Sequence, residues 1–155
     1  MAQEIELKFL VCNDSWRDAV SKEIRMRQGF LCDGFERSMR VRTENDRAFL
    51  NIKRSTDGIH RLEYEYEIPF DEAQEMLDYV ALQPLIEKVR YLIPAGEYEW
   101  EIDCFSGENE GLIVAEIELP SIDVDFEKPS WLGKDVSDDF RYYNVSLREM
   151  PYSRW

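Results

Sequence analysis

The chain has 155 residues, a length typical of a single domain, and its 44% apolar and 34% charged residues indicate a globular rather than a disordered protein. Its formal net charge of −14, from 33 acidic and 19 basic residues, disfavours nucleic acid and anionic membrane surfaces as partners. It has no apolar run of about 18 residues and no signal-peptide pattern at its N-terminus, so we predict a cytoplasmic protein without a transmembrane helix.

Alternation of apolar and polar residues is the dominant pattern, and it predicts eight β-strands. The stretches TENDR, STDGI and PAGE lie between successive strands and carry the Asn, Asp, Gly and Pro residues typical of hairpin connections. The predicted strands lie near residues 3–11, 25–32, 36–44, 47–54, 60–68, 87–93, 97–105 and 111–119. The pattern favours an α+β fold that is mostly antiparallel sheet.

Three segments have helical features instead. NDSWRDAVSKE begins with residue types that favour an N-cap. PFDEAQEMLDYVALQP has a predicted N-cap at Asp71 and a stop at Pro84. DDFRYYNVSLREM has apolar residues at helical spacing. The acidic stretch SIDVDFEKPS is predicted to be a loop or a weak helix.

The cysteine and histidine residues exclude several kinds of site. Cys12, Cys32 and Cys104 are an odd number without a C-x-x-C motif, so buried free thiols are expected rather than disulfides or a zinc site. His60 is the only histidine and lies in a predicted turn, which favours a surface role over Ser-His or Cys-His catalysis.

The first strand, EIELKFLV, raises a question about its charged side. Glu4, Glu6 and Lys8 alternate with apolar residues, so all three share one face of the strand. A single strand of this kind is explained by a solvated sheet face. The same pattern recurs on six further strands, at Arg40 and Arg42; Asn51 and Lys53; Arg61, Glu63, Glu65 and Glu67; Lys88 and Arg90; Glu99, Glu101 and Asp103; and Glu116 and Glu118.

Seven charged strand faces are difficult to explain by solvation alone. Two like charges about 4 Å apart repel by about 4 kcal/mol at an effective dielectric constant of 20, so concentrated carboxylates need counter-ions. A curved sheet closing on these faces would form a tunnel with a polar interior. Clustered Lys and Arg bind phosphate oxygens, and clustered carboxylates bind hard divalent cations. The pattern therefore indicates a metal–polyphosphate site, and the chain has no Gly-rich P-loop.

The order of these motifs resembles the CYTH domain, the triphosphate tunnel metalloenzymes, along nearly the whole chain, with a length similar to the short bacterial inorganic triphosphatases. EIELK resembles the E-x-E-x-K signature of the family, and RQGFL resembles its Q-G-Y-L segment. RVR, IKR, RLEYE, EKVRY, EIDCFSG and VAEIEL follow in the family order, and WLGKDVSDDFRYYN resembles the terminal W-x-G-x-(D/E)-V…Y-x-N segment.

The resemblance implies a single domain over residues 1–155, folded as a closed eight-stranded antiparallel β-barrel with a charged lumen and a few flanking helices. It implies triphosphate binding by basic residues, namely Lys8, Arg40, Arg42, Lys53, Lys88 and Arg90. It implies that Mg²⁺ or Mn²⁺ is held among acidic residues, namely Glu4, Glu6, Glu63, Glu65, Asp103, Glu116 and Glu118.

The resemblance also suggests individual roles. Lys8 is the catalytic candidate, to orient or deprotonate the attacking water, and deprotonation would require a lowered pKa. Tyr142 and Asn144 are expected on a C-terminal helix that closes one tunnel mouth. Phe30 departs from the Tyr that is common at its position, so the hydrogen bond of that hydroxyl is missing.

The leading hypothesis is an enzyme that hydrolyses inorganic triphosphate, a small-molecule polyphosphate, to pyrophosphate and phosphate. The alternatives are a class IV-type adenylate cyclase, a thiamine or nucleoside triphosphatase, and a polyphosphate-binding module without turnover. A cyclase would need an apolar or stacking surface for adenine. We expect nearly every inward position to be charged, with Phe49 as the exception. A homodimer is plausible by analogy.

Overall fold

A computed structural model describes residues 5–32, 34, 36–55 and 61–155. Glu4 and His60, both singled out by the sequence, lie outside these residues. Nine antiparallel strands form one sheet and account for most of the regular structure. Their bounds are Ile5–Val11 (β1), Lys22–Cys32 (β2), Arg37–Glu44 (β3), Arg47–Ser55 (β4), Arg61–Ile68 (β5), Ile86–Ala95 (β6), Tyr98–Phe105 (β7), Ile113–Leu119 (β8) and Leu132–Asp135 (β9).

The eight predicted strands are present, and the prediction missed a ninth. The four-residue β9 pairs with β1 through Phe9 and Val11. Two predicted hairpin turns contain residues in the left-handed region, Asn45 with φ 56° and Gly96 with φ 64°. STDGI lies largely outside the described residues.

The prediction of a closed eight-stranded barrel is wrong. The strand order is β5-β4-β3-β2-β6-β7-β8-β1-β9, and among the described residues β5 pairs only with β4. The second edge of β1, which closure would require, is occupied by the C-terminal part of the chain. Beyond the β9 pairing, Val136 N donates to Lys8 O, and Lys8 N donates to Ser137 Oγ.

The open sheet is nevertheless strongly curved. β1 and β4 are six strand positions apart, which in a flat sheet would be about 29 Å at the usual spacing of about 4.8 Å. Exposed charges that far apart are screened from each other. Burial would raise the pKa of Glu6 on β1, but Lys8 lowers it to about 2, and Lys53 on β4 adds a smaller lowering effect, so β4 lies closer to β1 than in a flat sheet. We call the concave side the charged face and the convex side the outer face.

The outer face of β1, β7 and β8 is apolar, as the alternation predicts. Phe9, Trp100 and Ile117 are buried there with Trp16 and Trp131. Trp16 lies in a 3-10 helix, Ser15–Ala19, where the sequence predicts a longer helix. The predicted loop over residues 121–130 follows β8 and leads to Trp131, and its Phe126 packs edge-on against both Phe9 and Trp100.

A second helical segment covers the outer face of β2 to β4. Helix α1, Phe70–Glu75, continues as a π-helical turn, Met76–Val80, within the segment predicted as one helix. Leu77 is fully buried against Val41 and Ala48. A Cβ on Gly29 would lie 2.8 Å from the Ala81 Cβ, so a larger residue there would collide with this segment.

The C-terminal segment covers one end of the charged face. It contains a 3-10 helix, Phe140–Tyr142, and helix α2, Asn144–Glu149. Leu147 on α2 is buried with Ile86, Phe105 and Leu112. Asn144 begins α2 as expected, whereas Tyr142 lies on the preceding 3-10 helix.

The remaining predictions concern the cysteines and the membrane. All three cysteines are free, as predicted, but Cys12 and Cys32 are exposed and Cys104 is half-buried, so the prediction of burial is wrong. Within the described residues, no helix is long and apolar enough to span a membrane.

Candidate functional site on the charged face

Strand pairing brings the charges of β1 and β8 together at Lys8. Its Cα partner is Glu116, and the partner of Glu6 is Glu118. Lys8 Nζ donates to Glu116 Oε1 and, at 3.1 Å, to Glu6 Oε1. Burial alone would lower the pKa of Lys8, but the charges of Glu116 and Glu6 raise it above its ordinary value.

The role of Lys8 as a base is therefore not supported, because that role needs a lowered pKa. The ammonium group also lies 5.7 Å from the centre of the Tyr143 ring. Tyr143 donates its hydroxyl to Ser137 O at 2.9 Å, and Ser137 Oγ accepts from the backbone of Lys8. The C-terminal segment thus fixes both the backbone and the side chain of this lysine.

A second cluster, on β6 and β7, is an ion-pair network around Asp103. Lys88 Nζ donates to Asp103 Oδ2 at 2.7 Å, and Arg90 donates to both Asp103 oxygens at 2.8 and 2.9 Å. Arg90 also pairs with Glu101 at 2.7 Å. The Lys88 and Asp103 side chains are each 1% exposed, so their charges compensate each other within the protein interior.

The pKa values follow from this arrangement. Burial raises the pKa of Asp103, but the charges of Arg90 and Lys88 outweigh burial and hold the pKa well below 3.8. Burial lowers the pKa of Lys88. Burial and neighbouring carboxylates raise the pKa values of Glu101 and Glu116. Burial is the largest cause for both glutamates, and the cations Arg90 and Lys8 offset it only in part.

A third cluster, on β3 to β5, surrounds Arg42. Its guanidinium lies 2.8 Å from Glu44 and 3.3 Å from Glu65, and it donates to Asn51 Oδ1 at 3.1 Å. Asn51 also donates to Glu65 at 2.9 Å. On the neighbouring row, Lys53 lies 3.6 Å from Glu63. Acidic and basic residues of these three strands therefore form ion pairs with each other on the charged face.

Arg40 differs from the other basic residues of the charged face. Its Nε is buried without a hydrogen-bond partner, and no carboxylate among the described residues forms an ion pair with it. Burial, with the charges of Arg42 and Arg90, lowers the pKa of Arg40. A desolvated cation without an ion pair lowers the stability of the fold. This guanidinium is therefore available to bind an anion that the protein itself does not provide.

The expectation that nearly every inward position is charged is wrong for β2. Its register with β3 and β6 places Ile24, Met26, Gln28 and Phe30 on the charged face. Met26 is 3% exposed and Phe30 is 5% exposed. The seven strands predicted to have a charged face do not include β2.

Comparison with known proteins now identifies the family. Residues 2–148 match the CYTH domain. The chain belongs to the CYTH domain family. It is 46% identical over 155 residues to the inorganic triphosphatase of Acetivibrio thermocellus, covering 100% of this chain and 99% of that protein. It is 35% identical over 151 residues to the inorganic triphosphatase of Nitrosomonas europaea, covering 93% of this chain and 95% of that one.

A solved structure of the CYTH family has the same fold. The crystal structure of the inorganic triphosphatase NE1496 superposes with a TM-score of 0.71 at 31% sequence identity, covering 96% of this chain and 95% of the other. The similarity extends over nearly the whole length of both chains.

The charged face of this CYTH domain carries the predicted site residues that the structure describes. The predicted ones are Lys8, Arg40, Arg42, Lys53, Lys88, Arg90, Glu6, Glu63, Glu65, Asp103, Glu116 and Glu118. Their roles as substrate or metal ligands remain predictions, and Glu4 lies outside the described residues. Within the described part of the chain, no three or more His, Cys, Asp or Glu residues are arranged as a preformed metal site.

The predicted site left out three residues of the CYTH domain that adjoin it. Glu101 has the same period-two spacing as Asp103 and could have been included on that signal. Tyr143 and Ser137 lie in the C-terminal segment, where no strand pattern indicates which residue faces Lys8. Only the tertiary structure identifies those two contacts.

Proposed function

We propose that this protein is an inorganic triphosphatase that uses a divalent metal ion to hydrolyse triphosphate to pyrophosphate and phosphate. Two relatives that match it over nearly their full length are inorganic triphosphatases. The observation that carries the proposal is Arg40, a partly buried cation without an ion-pair partner among the described residues, on a face crowded with charge. A linear, highly charged anion is the ligand that such a face fits.

Basic residues of the charged face divide into two groups under this proposal. Arg40, Lys8 and Lys53 bind phosphate oxygens, and the high pKa of Lys8 keeps it cationic for that purpose. In the second group, Arg90 and Lys88 are held by Asp103 and contribute positive electrostatic potential to the charged face. Arg42 belongs to the second group, because Glu44 at 2.8 Å and Glu65 at 3.3 Å hold its guanidinium.

The acidic residues fit a hard divalent cation. Glu6 and Glu116 already converge on one cation, the Lys8 ammonium, and Glu101 is the Cα partner of Glu116. Burial, with a smaller contribution from neighbouring carboxylates, raises the pKa values of Glu101 and Glu116, and a bound cation would favour their charged form. Oxygen donors of this kind suit Mg²⁺ or Mn²⁺. When bound, such an ion neutralises developing charge on the transferred phosphoryl group.

The residues of the chain bind and orient the substrate in this reaction. Water attacks the terminal phosphorus, the bridging P–O bond breaks, pyrophosphate leaves as an anion, and the proton of the water passes to a phosphate oxygen or to solvent. Lys8 and Arg40 stabilise charge on the non-bridging oxygens as it redistributes. Lys8 acts as a cation that orients substrate and water, and it does not remove the proton of the water.

The burial of the apolar residues on β2 favours hydrolysis over cyclisation. Met26 and Phe30 do lie on the charged face, but both are almost completely buried. Tyr64 and Tyr66 are exposed, but they alternate with the charged residues of β5 and point to the outer face. The charged face therefore offers an adenine ring no accessible stacking surface from these residues.

The test is a product analysis of the purified protein with inorganic triphosphate, ATP or thiamine triphosphate, with Mg²⁺, with Mn²⁺ and with a chelator. The proposal predicts phosphate and pyrophosphate from inorganic triphosphate, and loss of activity with the chelator. Cyclic AMP and pyrophosphate from ATP at comparable efficiency would identify a cyclase instead. Binding of triphosphate without turnover under every metal condition would identify a binding module.

A further inference from the structure

Gln28 is a residue of the charged face that no role assigned so far uses. Its neighbours along β2 both face outwards: Arg27 contacts Gln74 on α1, and Gly29 packs beneath Leu77. Alternation then directs the Gln28 side chain to the charged face. The Cα partners of Gln28 are Arg42 on β3 and Ile86 on β6.

The amide group of Gln28 is buried without a partner. The residue is 1% exposed, and its Nε2 has no hydrogen-bond acceptor. Asn51 is equally buried on the same face, yet its amide nitrogen donates to Glu65 and its oxygen accepts from Arg42. A buried amide without a partner is destabilising. Gln28 therefore lowers the stability of the fold, whereas the paired Asn51 does not.

Several carboxylates of the charged face are already bound to cations. Glu44 and Glu65 bind Arg42, the cross-strand neighbour of Gln28. Asp103 binds both Lys88 and Arg90. The acceptor that this face gains in function is a phosphate oxygen of the substrate. Arg40, whose buried Nε also lacks a hydrogen-bond partner, lies one row away on β3.

We propose that Gln28 is a substrate-binding residue whose amide donates a hydrogen bond to a non-bridging phosphate oxygen of triphosphate. This inference rests on the proposed function, and it adds a neutral donor to a set of cations. A neutral amide contributes direction rather than charge, so Gln28 and Arg40 together fix where the phosphate chain lies on the charged face.

The test compares Gln28→Met, which keeps the length of the side chain and removes its polar group, with the unmodified protein. Gln74→Leu is the matched control, because Gln74 lies on the outer side, where its side chain accepts a hydrogen bond from Arg27. Two quantities are measured: the melting temperature with and without inorganic triphosphate in the absence of divalent metal, and kcat and KM for triphosphate with Mg²⁺.

The proposal expects Gln28→Met to melt at the same or a higher temperature, because an unpaired amide is removed. It expects kcat/KM to fall about 10- to 100-fold, mainly through KM, with a smaller shift in melting temperature on adding triphosphate. Gln74→Leu should leave kcat/KM and the triphosphate shift unchanged. Gln28→Glu should lose more activity than Gln28→Met, because it places a negative charge against the phosphate.

Unchanged kcat/KM and an unchanged triphosphate shift in Gln28→Met would overturn the proposal. So would failure of both Gln28 variants to fold, since Gln28 would then be a structural residue. If the unmodified protein bound triphosphate without hydrolysing it, the proposed function would fail. The difference in triphosphate shift between Gln28→Met and the unmodified protein would still decide whether Gln28 contacts the anion.

Discussion

Arg40 and Arg90 are the same residue type on the same face, but their surroundings assign them different tasks. Arg90 makes three contacts of 2.9 Å or less with Asp103 and Glu101. Arg40 has a buried Nε without a partner. A guanidinium bound by carboxylates supports the fold, whereas an unpaired one is available to bind an anion.

Replacing each arginine by glutamine separates these tasks. Arg40→Gln should keep or raise the free energy of unfolding and lower kcat/KM for triphosphate roughly 100-fold, because a phosphate ligand is lost. Arg90→Gln should lower the free energy of unfolding by about 3 kcal/mol, because Asp103 loses two hydrogen bonds from a cation. Denaturant unfolding and steady-state kinetics measure both effects. Equal destabilisation by the two variants would contradict the assignment.

The depressed pKa of Asp103 makes a prediction about acid stability. A carboxyl with a lowered pKa in the folded state contributes stability above its ordinary pKa of 3.8, and this contribution is lost as the pH falls below that value. Asp103→Asn should therefore be less stable than the unmodified protein at about pH 7, and the difference should narrow as the pH falls below about 4. Urea unfolding across this range checks it, and a constant difference would count against the ion-pair network.

Two fully buried leucines lie on opposite sides of the sheet, so a variant at each one allows the two sides to be compared. Leu147 on α2 covers one end of the charged face, and Leu77 packs on the outer face. Each change to alanine should lower the free energy of unfolding by about 2–5 kcal/mol. Leu147→Ala should also lower kcat/KM, because α2 adjoins the segment that fixes Lys8, whereas Leu77→Ala should leave the activity of the folded fraction intact. Equal activity losses in the two variants would show that α2 has no specific role at the site.

The ninth strand depends on close approach of its backbone to β1. A Cβ on Gly133 would lie 2.8 Å from Leu10 O, a backbone atom that cannot move aside easily. Gly133→Ala should therefore destabilise the protein by about 1–3 kcal/mol. Hydrogen exchange should show faster exchange of the Val136 amide, which donates to Lys8 O. Unchanged exchange there would show that β9 tolerates the extra methyl group.

At the scale of the whole molecule, the sequence predicted what depends on period-two alternation. Eight strands, the sharing of one face by Glu6 and Lys8, and the apolar outer side with Phe9 all follow from it. Relations between distant segments could not be predicted this way. Four residues of β9 are too few for a pattern, and the use of the second edge of β1 by Ser137 depends on tertiary structure.

The same limit applies to the site. Charge alternation indicated which residues gather on one face, but it does not indicate which of them pair. The commitment of Arg90 to Asp103 and the lack of a partner for Arg40 depend on distances between strands. Gln28 has no charge pattern at all, and only its burial without an acceptor distinguishes it.

The central claim is that the concave, charged face of the open sheet binds triphosphate. The most direct measurement is a crystal structure of the protein with inorganic triphosphate and Mg²⁺. We expect phosphate oxygens within hydrogen-bonding distance of the Arg40 guanidinium and the Lys8 ammonium. Triphosphate bound elsewhere, with Arg40 still lacking an anionic partner, would contradict it.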